Sequence, residues 1–181
     1  VVRPIGRGDR VTSARKGSRV VFAKDNAPQA APDAIAGLRF VIEPAHGGDI
    51  LIDFVALRPR RLALAFARAL RMMSEPGGGL GARTTVKQHA GAYLTFFEYL
   101  AEAAPRVRGP DDLRALHIDG FESWLEARGL KPIHRHTVLA KPVQSLRTLD
   151  AESPSLLAPD LKQRLSFTSA RTRSPGTSER R

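Results

Sequence analysis

Apolar residues change their spacing several times along this chain, and each change marks a different kind of segment. Val1 to Ala36 has few apolar positions and no sustained period, so it reads as a solvated, disordered arm. Leu38-Arg39-Phe40-Val41-Ile42-Glu43 and Ile50-Leu51-Ile52-Asp53-Phe54-Val55 are short runs of β-branched and aromatic residues. Turn formers from Pro44 to Asp49 separate them, which predicts a β-hairpin. A lone hairpin is marginal in water, so it must pack on the helical part that follows.

From Pro59 to Met73 the period lengthens. Leu62, Phe66, Leu70 and Met73 recur every three or four residues, one face of a helix with Pro59 suited to its first turn. The run Pro76-Gly77-Gly78-Gly79-Leu80-Gly81 stops that helix and predicts a flexible joint. A second helix is expected from an N-cap at Thr84 or Thr85, with Val86, Ala90, Tyr93, Leu94, Phe97, Leu100, Ala101 and Ala104 on its apolar face, ending before Pro105. A short turn at Pro110 to Leu116 leads to a third helix, capped by Asp119, carrying Phe121, Trp124 and Leu125 and closing near Gly129. The fourth, from about His134 to Leu149, places Val138, Leu139, Val143, Leu146 and Leu149 on one side. Pro142 inside it lacks an N–H for the ladder, so it either kinks this helix or starts a shorter one. Leu156 to Leu165 predicts a short last helix, and Ser166 to Arg181 a disordered basic tail.

The fold class expected is therefore mainly α: a bundle of four to five helices led by a β-hairpin. Its divisions fall at 1–36 (basic arm), 37–75 (hairpin and helix leader), 76–83 (joint), 84–166 (helical core domain) and 167–181 (tail). At 181 residues the chain has room for one ordinary core. Its longest apolar stretch, Leu62 to Ala67, is far short of a bilayer span, and no secretory signal or cysteine is present. A cytoplasmic location without a membrane partner is the expectation.

Charge alters this picture only locally. The net charge is +11, but residues 1–24 hold seven Lys/Arg and one acid, and residues 162–181 hold six and one. Residues 25–161 carry sixteen of each sign, so a polyanion site in the folded part has to come from clustering. Two clusters exist, Phe54 to Ser74 and Ala127 to Leu149, each with five basic residues and no acid. Arg outnumbers Lys 23 to 6, a bias that GC-rich coding alone would produce.

Three stretches occur in order: Thr84-Thr85-Val86 opening a helix with Leu94-Thr95-Phe96-Phe97-Glu98-Tyr99-Leu100; Leu116-His117-Ile118-Asp119-Gly120-Phe121-Glu122-Ser123-Trp124-Leu125; and a basic stretch leading into Val143-Gln144-Ser145-Leu146-Arg147-Thr148-Leu149. Together they resemble the SAM-like core-binding domain that precedes the catalytic domain in tyrosine recombinases, the phage integrase family. The resemblance covers about 85 residues, from Thr84 to near Ser166, in diffuse apolar patterns, and Pro142 departs from it.

The resemblance implies a clamp that covers one side of double-stranded DNA, working beside other recombinase subunits, with the catalytic domain absent from this sequence. Helix N-termini expose unpaired N–H groups, so Arg83, Thr84 and Thr85 are candidates to hold a phosphate, with Lys87 and Gln88 one turn on. Lys131, His134, Arg135, Thr137, Lys141, Gln144 and Arg147 supply donors along the fourth helix. A helix needs a polar outer face in any case, so a helical protein-interaction module and a non-functional integrase remnant stand as alternatives.

The family's chemistry needs a His-x-x-Arg pair and a late tyrosine nucleophile. None of His46, His89, His117, His134 and His136 has Arg three residues on, and Tyr93 and Tyr99 fall in an apolar helix pattern, where core packing is expected. The chain is thus not expected to cleave DNA alone. His134-Arg135-His136 would place two imidazoles on different helix faces, so no metal is expected, and no cofactor or small-molecule substrate. The Gly77 to Gly81 run lacks the Lys-Ser/Thr of a nucleotide loop.

Overall fold

The computed structural model describes residues 37–170, so the arm expected at 1–36 and the tail from 171 lie outside the described residues. The chain runs β1 (Arg39–Ile42), β2 (Ile50–Asp53), α1 (Arg60–Ser74), α2 (Arg83–Ala103), a 3₁₀ turn at Pro110–Asp112, α3 (Ala115–Ala127), α4 (Pro132–Glu152) and α5 (Pro159–Ala170). It is mainly helical with a two-stranded antiparallel hairpin in front, as the spacing predicts. The last helix starts after Leu156 and runs on to Ala170, past its expected end at Leu165.

Hairpin register pairs Arg39 with Asp53 and Ile42 with Ile50. An Arg39–Asp53 ion pair at 2.6 Å closes its open end. Leu38, Ile42, Ile50, Ile52 and Phe54 are buried, so the hairpin finds its cover on the helices. Its connecting loop determines where α2 starts. The His46 N–H donates to the Gly81 carbonyl and the Arg83 N–H to the His46 carbonyl, both at 3.0 Å. These bonds hold Ala82 extended, at φ −116 and ψ 137, so the helix begins with Arg83. Thr84 and Thr85 therefore lie in the first turn and neither is the N-cap; no side chain caps this end.

Other helix ends are likewise fixed from a distance. Asp119 does not cap α3, which begins four residues earlier at Ala115. There the Asp160 carboxylate, from α5, accepts the Ala115 N–H at 2.9 Å, and His117 Nδ1 accepts the Arg114 N–H at 2.9 Å. Asp119 instead binds Arg164 Nε of α5 at 2.6 Å. Pro59 sits at the N-cap of α1, just before its first turn. Pro142 lies within one helix of 21 residues, so the alternative of a shorter helix starting there is excluded. The glycine run forms a tight turn: the Leu80 N–H returns to the Met73 carbonyl at 2.9 Å, and Leu80 is buried. Gly78 must be glycine here, since a Cβ would lie 2.3 Å from the Met72 carbonyl oxygen.

One core cluster extends from Leu38 to Leu165. At its centre α2 buries Val86, His89, Ala90, Ala92, Tyr93, Phe96, Phe97, Tyr99 and Leu100, about half its circumference, because α1 and the hairpin cover one side and α3 another. Aromatic rings join these layers. Phe66 of α1 meets Tyr93 edge-on at 4.9 Å, Phe97 at 5.6 Å and Phe96 at 5.8 Å. Phe54 reaches Tyr93 from the hairpin, and Phe121 of α3 meets Phe96 at 5.0 Å. Trp124 closes the series only half buried, with Nε1 donating to Glu102 at 2.9 Å and the Arg128 guanidinium 3.8 Å above its ring.

Two stability predictions follow from this packing. Phe66→Ala should cost about 3–5 kcal/mol in urea denaturation, the range for a large aromatic lost from a sealed core, and Trp124→Ala distinctly less, since solvent already reaches the indole. Equal losses would mean that the indole is enclosed. A chain starting at residue 84, the boundary the resemblance suggests, should melt without a cooperative transition, because Tyr93, Phe96 and Phe97 would lose Phe66. A sharp transition at the parent temperature would show the leader to be dispensable.

Candidate nucleic-acid interface

Two long helices carry the candidate residues, and their relative direction decides whether these come together. The Tyr93 and Ser145 hydroxyls are hydrogen-bonded in the core. One turn earlier on each helix, His89 lies close enough to Lys141 for that charge to act on its imidazole. These contacts pack the middle of α4 on α2, while Arg128 at the end of α3 binds Glu98 and Glu102 of α2, and Glu126 of α3 pairs with Arg135 of α4, so the start of α4 lies toward the C-terminal end of α2. The candidates therefore form two groups, one at the start of each helix, each beside the positive end of its own dipole.

Charge is sorted along both helices in the same sense. From Arg83 to Phe97 in α2 and from Pro132 to Leu149 in α4 there is no carboxylate. The acids come at the far ends, as Glu98 and Glu102, and as Asp150 and Glu152. Neither helix has an acid in its first turn or a base in its last. This is the reverse of what the macrodipole favours, where each misplaced charge costs about 0.3–1 kcal/mol.

Individual candidates divide into those left available and those engaged within the protein. Thr84, Gln88, Lys131, His134, Thr137 and Gln144 are exposed, Thr85 and Lys141 are half buried, and Lys87 is half buried and engaged within the protein. The Thr137 hydroxyl donates back to the Ile133 carbonyl at 2.9 Å, which still leaves its oxygen lone pairs outward. Three arginines differ from expectation. Arg83 donates to the Gly47 carbonyl at 3.1 Å and its Nε is buried, so it holds the hairpin loop. Arg135 pairs with Glu126 at 2.7 Å, tying α4 to α3. Arg147 Nε donates to the Leu165 carbonyl at 3.2 Å, so this residue fixes α5 instead of facing outward.

Both basic clusters of the sequence are depleted in the same way. In the first, Arg61 pairs with Asp111, Arg68 with Glu152, and Arg71 lies 4.0 Å over the Phe40 ring while donating to the Gly37 carbonyl. In the second, Arg128 binds both Glu98 and Glu102. What remains of the second cluster and of the candidates on α4 is Lys131, His134, His136 and Lys141, with the exposed polar side chains.

Neither tyrosine among the described residues is exposed for reaction. Tyr93 is buried, its hydroxyl pushed far up by desolvation against a smaller opposing effect of Ser145, and burial also raises Tyr99. Both tyrosines are core residues, as their spacing predicts. Among the described residues no group of three His, Asp or Glu side chains could hold a metal ion, and no helix is long and apolar enough to cross a membrane.

Sequence spacing did not single out His89. It is fully buried between α2 and α4, neither ring nitrogen has a partner, and its ring meets Tyr93 edge-on at 6.1 Å. Burial first, and the Lys141 charge second, push its pKa down to about 4. No family model, curated protein or solved structure matches this chain.

A pH dependence follows from His89. Its imidazole is neutral when folded and titrates near 6.5 when unfolded, so below 6.5 the unfolded chain binds more protons. The stability that neutrality provides is complete above about 6.5 and is lost as pH falls toward about 4. Thermal melts across that interval should fall more steeply for the parent than for His89→Leu, which keeps every other titrating group. Parallel profiles would mean that the imidazole has a partner or reaches water.

Proposed function

We propose that this chain binds the sugar-phosphate backbone of double-stranded DNA through the carboxylate-free N-terminal stretches of α2 and α4, in the manner of a recombinase core-binding domain. The observation that carries the reading is the sorting of charge against the two helix dipoles. Folding alone would favour acids at those N-terminal ends, and their absence leaves a positive potential that an external polyanion would relieve. Backbone N–H groups at the uncapped start of α2, the Thr84 hydroxyl, Lys131 and Lys141 are the donors assigned to phosphates. His134, Thr137 and Gln144, exposed along α4, are assigned to the adjacent groove edge. Arg83, Arg135 and Arg147 serve this surface indirectly, by fixing the hairpin loop, α3 and α5 against it. Strand cleavage is not assigned to these residues, since both tyrosines are enclosed in the core.

Fluorescence anisotropy with a labelled duplex, titrated over a range of salt, tests the assignment. Lys131→Ala and Lys141→Ala should each lower the log–log salt slope by about 0.9 without changing preference among sequences. Arg147→Ala should act mainly on stability, through the loss of its bond to Leu165. If deleting residues 171–181 removed the salt dependence while both lysine variants bound like the parent, these helix stretches would not be the binding surface.

A further inference from the structure

The apolar stripe of α2 is wider than the face its neighbours cover. Leu94 and Ala104 are only half buried and Ala101 is exposed, although all three continue the three-and-four spacing of the core positions. Two adjoining clefts lie over them. One, of about 510 Å³, runs past Leu57, Gly91, Leu94 and Ala101. The other, of about 390 Å³, continues over Ala101 and Ala104 to Pro105 and Val107. Both include Arg58 and Ala101, so they form one groove along α2 from Gly91 to Pro105, about 21 Å at the helical rise. Its upper end is open, since a Cβ on Gly91 would meet nothing within 4 Å.

Charge along the groove is one-sided. The cleft at the Pro105 end has Arg58, Arg60 and Arg108 on its walls and no carboxylate. Arg58 donates to the Val55 and Leu57 carbonyls, which leaves its charge uncompensated. Arg60 and Arg108 have no acidic partner among the described residues. The first turn of α1, where Arg60 stands, has no acid and no side-chain cap, so its dipole adds to the same potential. The two glutamates of the groove, Glu98 and Glu102, are both taken by Arg128.

An apolar floor with uncompensated arginines at one end suits a ligand that is itself both apolar and acidic. Duplex DNA does not meet that description, because its phosphates gain nothing from Leu94, Ala101 and Ala104. This groove runs along the C-terminal half of α2, whereas Thr84 stands in the first turn of that helix. We propose that it is a docking site for an acidic amphipathic helix of another protein, with apolar residues at i, i+4 and i+7 on the floor and Asp or Glu beside Arg60 and Arg108.

Selection of a displayed random-peptide library on the immobilised full chain tests this, with affinities then measured for the selected peptides. Ala101→Trp fills the groove at an exposed position and leaves every charge in place, which separates docking from attraction to the basic termini. Arg60→Glu combined with Arg108→Glu reverses the rim and puts an acid in the first turn of α1, where folding favours one. Enriched peptides should carry acidic residues beside leucine-type residues at helical spacing. They should bind each variant about tenfold or more weakly than the parent, and Ala101→Trp should leave duplex binding unchanged. Failure to enrich any peptide, enrichment of non-acidic peptides, or equal affinity for parent and Ala101→Trp would overturn the proposal. So would loss of duplex binding in the arginine double variant, which would give those arginines to DNA. A parent dimer in sedimentation that Ala101→Trp abolishes would overturn it too, by making a second copy the occupant.

Discussion

Everything in this fold is arranged around the enclosure of α2. A helix covered over about half its circumference needs neighbours on several sides, and no one of the other elements is large enough to supply them. The Phe66 ring is what makes the arrangement continuous: it meets three aromatic residues of α2, and through them the hairpin and α3 join the same cluster. Such ring pairs add about 0.5–1.5 kcal/mol each beyond the area they bury. The hairpin, marginal alone, gains its stability from this contact, and its loop in turn sets the first residue of α2.

A second constraint acts on the arginines. A guanidinium is a rigid fork of five donors, and a small helical fold has many helix-end carbonyls and surface carboxylates to receive it. Here Arg83, Arg135 and Arg147 each hold a neighbouring element in place, and so do Arg61, Arg68 and Arg128. Clusters of basic residues along a sequence therefore overstate what reaches the surface. Lysines and histidines, with fewer directed bonds, are the ones left outward on α4.

Periodicity located the elements because it reflects burial, which is a local property of a helix or strand face. Leu62, Phe66, Leu70 and Met73 are all buried, and so are Leu139, Val143, Leu146 and Leu149. Helix starts were less legible. Thr84 and Asp119 have the right chemistry for caps, but the start of α2 is set by the backbone of His46 in the hairpin loop and that of α3 by a carboxylate 45 residues after Ala115. Spacing of this size leaves no local trace. The same holds for His89 and for Phe96, which is a core residue only because Phe121 arrives there from another helix.

The placement of charge is the remaining link between fold and function. Stability alone would draw acids toward helix N-termini, and α5, with Asp160 in its first turn, follows that rule. In α2 and α4 the order is inverted, with no acid in the first turn of either helix. An arrangement that is unfavourable within the protein becomes favourable when a polyanion supplies the missing negative charge. The uncovered part of the α2 stripe follows the same logic at the other end of that helix, where an apolar floor and unpaired arginines are each costly in water and compatible only with a partner that offers both complements. Such incomplete satisfaction occurs at two separate places on α2, the helix that also buries the centre of the core.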